Sequence, residues 1–170
     1  RIQSISVGDS VMLRWSFTDP EAWLFTKNYG LKIRRSVYVG AADTFSYQQR
    51  WNNALVLADS IKPFTSQQWS TYNFTYPERA SAADSLLHHS EFVPVMDDPA
   101  FKNAIQFEKS LQNRHAFVEL MANIDFEIAQ GMALGLIDSD SLTNNYEYQY
   151  EFSFEMYGRT YVYTHNHKHT

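Results

Sequence analysis

Residues 146–155 read YEYQYEFSFE, and this stretch decides the class of fold. Tyr146, Tyr148, Tyr150, Phe152 and Phe154 alternate with Glu147, Gln149, Glu151, Ser153 and Glu155. Successive side chains of a strand point to opposite faces, so the pattern predicts a strand with one apolar face buried. Gly158 then sits in a turn position and the chain returns through Thr160 to Thr164, which makes a C-terminal hairpin. The same period recurs at the other end, where Val11, Leu13, Trp15 and Phe17 alternate with Met12, Arg14 and Ser16. A turn at Gly8 to Ser10 separates that strand from a shorter one over 2–7.

Between these ends the period changes. After Thr18-Asp19-Pro20, EAWLFTKNYG has the composition of one or two helical turns, and beyond Gly30 the run LKIRRSVYV returns to β character. Ala54 to Ala58 reads as a short apolar strand. Thr65-Ser66-Gln67-Gln68 has the form of a capping box that opens a helix through Trp69. Glu78 to His89 is helical by composition, with Ala82 and Leu86 on its apolar side. The longest helical tract runs from Asp97 to Met132, with Asp98 at the N-cap, Pro99 in the first turn, and a stop near Gly131 or Gly135. Its apolar positions are Phe101, Ile105, Ala116, Phe117, Leu120, Ile124 and Ile128, and a break near Gln112 to Arg114 would divide it in two.

Strands at both ends with helices between predict one domain over 1–170. Its β strands come from 1–58 and 136–170, and a mainly helical insertion occupies 59–135. The fold class is therefore mainly β with an α insertion. Aromatic residues make up 16% of the chain, a proportion that suits a β core or a recognition face. A formal net charge of −5 supplies no basic footprint for phosphate backbones, so nucleic acid is not expected as a partner. No run approaches the ~18 apolar residues of a membrane-spanning helix, and RIQSISVGDS lacks the basic-then-apolar profile of a signal peptide. A start at Arg1 fits a piece of a longer polypeptide. The absence of cysteine excludes disulfide frameworks and thiolate metal sites but leaves the compartment open.

Two segments carry a family likeness. Val11-Met12-Leu13-Arg14-Trp15, followed by Asp19-Pro20, resembles the second strand of fibronectin type III domains, where the tryptophan belongs to the core. Leu142-Thr143-Asn144-Asn145-Tyr146-Glu147-Tyr148 resembles the tyrosine corner of the same fold, in which the hydroxyl of the tyrosine ties down the neighbouring loop. The layout also includes Tyr29 to Arg35, Ile61-Lys62-Pro63-Phe64 before Trp69, and Ala133 to Leu136. As a whole it is similar to fibronectin-III-like modules with a helical insert in large exported proteins of Bacteroidota. Leu31 departs from the pattern where an aromatic is expected, and Asn144-Asn145 where Pro-Gly is expected. The resemblance implies a fibronectin-III or immunoglobulin-like β-sandwich whose terminal strands flank the insert, with Trp15, Leu142 and Tyr148 as its structural core. It further implies a secreted or cell-surface, non-catalytic module that meets neighbouring domains or a protein assembly partner.

Candidate chemistry is sparse. Asp97/Asp98 and Asp138/Asp140 are paired carboxylates of the kind acid/base hydrolysis needs, yet both pairs fall where Asp is expected for capping and turns. His165, His167 and His169 share one face of an extended strand, from which imidazoles could hold a divalent metal, although a chain terminus tends to fray. His88-His89 adds little, because helix neighbours face apart. No glycine-rich phosphate loop, HExxH or GxSxG stands in the chain, and no cofactor is expected. Trp51, Trp69, Tyr72 and Tyr76 form a candidate aromatic platform for a protein or, in the alternative reading, for the sugar rings of a glycan. Packing between insert and strands is the competing use of Trp69. Asp-Ser-aliphatic triplets begin at Asp9, Asp59, Asp84 and Asp140 and resemble the O-glycan acceptor of exported Bacteroidota proteins, while also being ordinary turn chemistry.

Overall fold

A computed structural model describes residues 1–38, 46–88 and 100–170, with the side chains of 100–108 excepted. Asp97, Asp98, Pro99 and His89, and the side chains of Phe101 and Ile105, lie outside the described residues. Strands β1 (Ile2–Val7), β2 (Ser10–Trp15), β3 (Leu31–Tyr38), β4 (Leu55–Ile61), β5 (Gly135–Asp138), β6 (Glu147–Met156) and β7 (Arg159–Lys168) form two antiparallel sheets, ordered β1-β2-β5 and β4-β3-β6-β7. Helices α1 (Pro20–Tyr29), α2 (Tyr47–Asn52), α3 (Ser66–Thr71), α4 (Pro77–His88), α5 (Ala100–Ile124) and α6 (Phe126–Gly131) are present in roughly equal measure to strand, so "mainly β" understates the helical share.

The chain divides into two compact units: Arg1–Ser16 with Leu24–Lys62 and Leu136–Thr170, and Phe17–Trp23 with Pro63–Gly135. The helical part therefore begins near Pro63, not at residue 59. Residues 59–61 still belong to β4, whose Ile61 pairs with Leu31.

In the first unit the buried faces follow the two-residue period. Val11, Leu13 and Trp15 of β2, Leu31 and Ile33 of β3, and Tyr148, Tyr150, Phe152 and Phe154 of β6 are all buried. The two sheets touch through them, with the Trp15 ring 5.2 Å from that of Phe152. The Thr143 backbone N–H donates to the Tyr148 hydroxyl oxygen at 2.7 Å, beside a half-buried Leu142. Tyr157 and Gly158 form the turn of a hairpin longer than expected, paired in unbroken register from Met156↔Arg159 to Glu147↔Lys168. Backbone hydrogen bonds continue past the end of β7. The His169 N–H donates to the Tyr146 carbonyl at 2.9 Å, and the Asn145 N–H donates to the His169 carbonyl at 2.8 Å.

The second unit has its own core. Thr65 caps α3 through the reciprocal box with Gln68, as the spacing predicts. Trp69 lies stacked on Phe74, ring centroids 5.1 Å apart, with Phe64 edge-on at 5.6 Å. Helix α5 runs unbroken through 112–114, and the break falls instead at Asp125, whose carboxylate accepts from the N–H groups of Glu127 and Ile128 to open α6. Two apolar faces differ from expectation. Helix α4 buries Ala80, Ala83 and Leu87, and α5 buries Leu111, His115, Val118 and Ala122. Apolar residues occupy more than one face of each helix, so the helical period by itself does not select the buried one.

Gly131 is required by this core. A Cβ there would lie 2.5 Å from Cη2 of Trp69, whose ring is wedged against Phe74 and Phe64. Gly131→Ala is expected to cost about 1–3 kcal/mol through overpacking. Urea denaturation would show this as a lower midpoint with unchanged slope.

Candidate functional site

Two members of the candidate aromatic platform are buried. Trp51 and Trp69 are each only 4% exposed, and they belong to different units. Trp51, on α2, packs against Tyr47 and lies under the Arg34 guanidinium, 5.2 Å from its ring centroid. Trp69 is core of the second unit, so its packing role prevails over recognition. Of the four residues, Tyr72 and Tyr76 are exposed. Tyr72 is engaged with Phe64 and Phe74, and Tyr76 lies under Arg79 at 4.0 Å.

A different surface stands open on α5. Phe117, Leu120 and Ile124 recur at three- and four-residue spacing and are 51%, 53% and 61% exposed. The sequence pattern had placed them in the core. The structure gives that role to the neighbouring line of Leu111, His115, Val118 and Ala122 and leaves these three facing solvent.

The paired-carboxylate candidates separate as well. Asp138 is almost wholly buried and accepts both contacts of the Arg35 guanidinium at 2.7 Å, together with the Tyr150 hydroxyl at 2.8 Å. Asp140 is exposed and lends Asp138 only a backbone N–H at 3.3 Å. Burial, and then the Asp138 charge, push the Tyr150 phenol far above its ordinary value. On the opposite face of β6, Glu151 is buried and is held by Arg34 and the Tyr47 hydroxyl. Burial, followed by the Glu151 hydrogen bond and charge, raises the Tyr47 phenol. Sequence reading missed both clusters. The adjacent Arg34-Arg35 was their visible trace, but Asp138 lies 103 positions from Arg35.

Each cluster couples a buried carboxylate to an arginine, a structural arrangement whose half-removal leaves an uncompensated charge. Asp138→Asn is therefore expected to cost about 3–5 kcal/mol, whereas Asp140→Asn, at an exposed position, should stay within about 0.5 kcal/mol. Chemical denaturation of the two variants side by side measures the contrast.

The alternating histidines do share one face, but they meet serines. The Ser4 hydroxyl lies 2.7 Å from His165 Nε2 and 2.8 Å from His167 Nδ1. Ser6 follows at 3.0 Å from His167 Nε2 and 3.2 Å from His169 Nδ1. The result is a five-membered His–Ser–His–Ser–His chain joining the edge strand of one sheet, β1, to that of the other, β7. Alternate residues of one strand are strung ~6.6 Å apart instead of converging, and the His167 and His169 rings stand 6.4 Å apart. Among the described residues no three ligating groups are placed to hold a metal, so the metal reading of these histidines is not carried by the geometry. Neutral rings suit the chain, because each has one donor and one acceptor nitrogen and each serine donates once. Burial lowers the pKa of His165, and burial together with its two histidine neighbours lowers that of His167.

These lowered values fix a sign. Well above pH 6.5 His165 and His167 are neutral in folded and unfolded chains alike; below it the unfolded chain takes up protons that these two lowered groups resist. Stability is expected to fall as pH drops from about 6.5 through the lowered folded values, with the loss reduced in His167→Gln. Denaturation midpoints at pH 7.5, 6.5 and 5.5 for both proteins give the measurement.

The Asp-Ser-aliphatic serines at Ser60, Ser85 and Ser141 are exposed and Ser10 is half-buried. No helix among the described residues is long and apolar enough to cross a membrane. Compared with protein-family profiles, curated proteins and solved structures, the chain finds no match.

Proposed function

We propose that the chain is a non-catalytic interaction module of a larger secreted or cell-surface protein, with a fibronectin-III-like β-sandwich as scaffold and the helical insert as recognition surface. The scaffold reading is supported by the three-plus-four strand order, by Trp15 in the core and by the Thr143–Tyr148 bond at the corner position. The absence of catalysis is argued from the buried carboxylates: Asp138 and Glu151 are each committed to an arginine and face opposite sides of β6, an arrangement unsuited to sharing a substrate.

The observation that carries the recognition reading is the α5 stripe of Phe117, Leu120 and Ile124. Three large apolar residues kept in solvent on one helix face match the way helices present anchors to a partner's groove. Neighbouring domains of the parent protein or an assembly partner would bury them. Affinity capture from the parent organism's surface fraction, with wild type and Phe117→Glu/Leu120→Glu side by side, tests this. The expected result is one stoichiometric partner, identified by mass spectrometry, that is lost with the double variant while its thermal midpoint is retained. Equal capture by both proteins, or capture of nothing, overturns the reading.

A further inference from the structure

A cleft of about 540 Å³ in the first unit is bordered by Phe25 and Tyr29 of α1, Lys32 of β3, Asp59 of β4, and Glu155 and Tyr157 at the tip of the β6–β7 hairpin. The volume lies within the range of small-ligand sites. Phe25 sits between two tyrosines, its ring centroid 5.2 Å from Tyr29 and 4.9 Å from Tyr157. Both tyrosines are turned to solvent, at 68% and 70% exposure. Aromatic faces so exposed contribute little to a core.

Tyr157 is also held in a backbone conformation that disfavours it. Its φ is +53°, and Gly158 follows at +71°, which gives the two positive-φ centres of a tight hairpin turn. Asn-Gly and Asp-Gly are the residues that such a turn prefers. A bulky aromatic in the left-handed region costs energy that asparagine at the same place would avoid, and strain of this kind gathers at ligand sites. Here the strain places a tyrosine over Phe25 at the mouth of the cleft.

The polar lining narrows the ligand. Lys32 Nζ lies 2.6 Å from Asp59 Oδ1 on the exposed rim, and Glu155 adds a second carboxylate. The Lys32 hydrogen bond and charge hold the Asp59 carboxyl below its ordinary range. Two carboxylates against one ammonium disfavour an anionic ligand. An apolar face beside closely spaced donors and acceptors matches a ring that carries C–H bonds on one face and hydroxyls around its edge.

We propose that this cleft binds a neutral pyranose, stacking its C–H face on Tyr157 and Tyr29 and directing its hydroxyls to Asp59, Lys32 and Glu155. The site lies wholly within the strand unit. It is independent of the α5 surface, so variants of the cleft leave partner capture by the stripe unchanged.

Isothermal titration with glucose, galactose, mannose and xylose, and with β-1,4-linked hexasaccharides of glucose, mannose and xylose, tests the proposal, with glucuronic acid as the charge control. At least one neutral sugar is expected to bind saturably and glucuronic acid not to bind. Monosaccharide binding as tight as hexasaccharide binding marks a single-ring site, and tighter hexasaccharide binding marks a glycan chain as the source. Tyr157→Asn and Tyr29→Ala should each weaken binding at least tenfold, while Tyr157→Asn keeps or raises the thermal midpoint because asparagine suits the turn. The proposal is overturned if no neutral sugar binds, if both variants bind as wild type does, if glucuronic acid binds as tightly as the neutral sugars, or if Tyr157→Asn loses binding together with thermal stability.

Discussion

The buried ion pair between Arg35 and Asp138 is the constraint around which the strand unit is arranged. Arg35 comes from β3, Asp138 from β5, and the Tyr150 hydroxyl that completes the carboxylate's shell from β6, so one cluster ties a strand of the three-stranded sheet to two strands of the other. Charges removed from water to this degree are tolerated only when paired and hydrogen-bonded. The geometry leaves little freedom in register. Arg35 stands opposite Tyr150 and Arg34 opposite Glu151, and a slip of one residue would turn both arginines to the wrong faces of the sheet.

Two further links follow from that alignment. In the middle of the sheets Trp15 meets Phe152, and at the edge strands the serines of β1 meet the histidines of β7. An apolar contact, a polar chain and an ion pair thus join the same two sheets at three places, each answering to different conditions. The apolar contact depends on excluded water, the ion pair on complete pairing, and the histidine chain on pH. The polar edge also explains why β1 turns Ser4 and Ser6 inward while Ile5 and Val7 face solvent, the reverse of ordinary patterning.

How much could be read beforehand varied with the kind of signal. The two-residue period of 146–155 and of β2 was legible because alternation along a strand maps directly onto its two faces. The Thr65 capping box was legible because its partners lie three residues apart. The buried lines of α4 and α5 were not, since Ala82, Ala83, Leu86 and Leu87, and likewise Phe117, Val118 and Leu120, give each helix more than one apolar direction. Trp51 and Trp69 suit a recognition surface by residue type alone, which does not tell an exposed aromatic from a packed one. Each proved to be packed in a different compact unit.

The sequence by itself determined the alternating strands, the Thr65 cap and the interruption of β segments by a helical stretch, all of which rest on relations between residues a few positions apart. Tertiary structure alone decided which carboxylates are buried, that the three histidines answer to serines, that the α5 stripe stays in solvent, and that Tyr29 and Tyr157 border one cleft. These depend on pairings across long separations, such as the 161 positions between Ser4 and His165. No local period encodes the partner a side chain will meet at that distance.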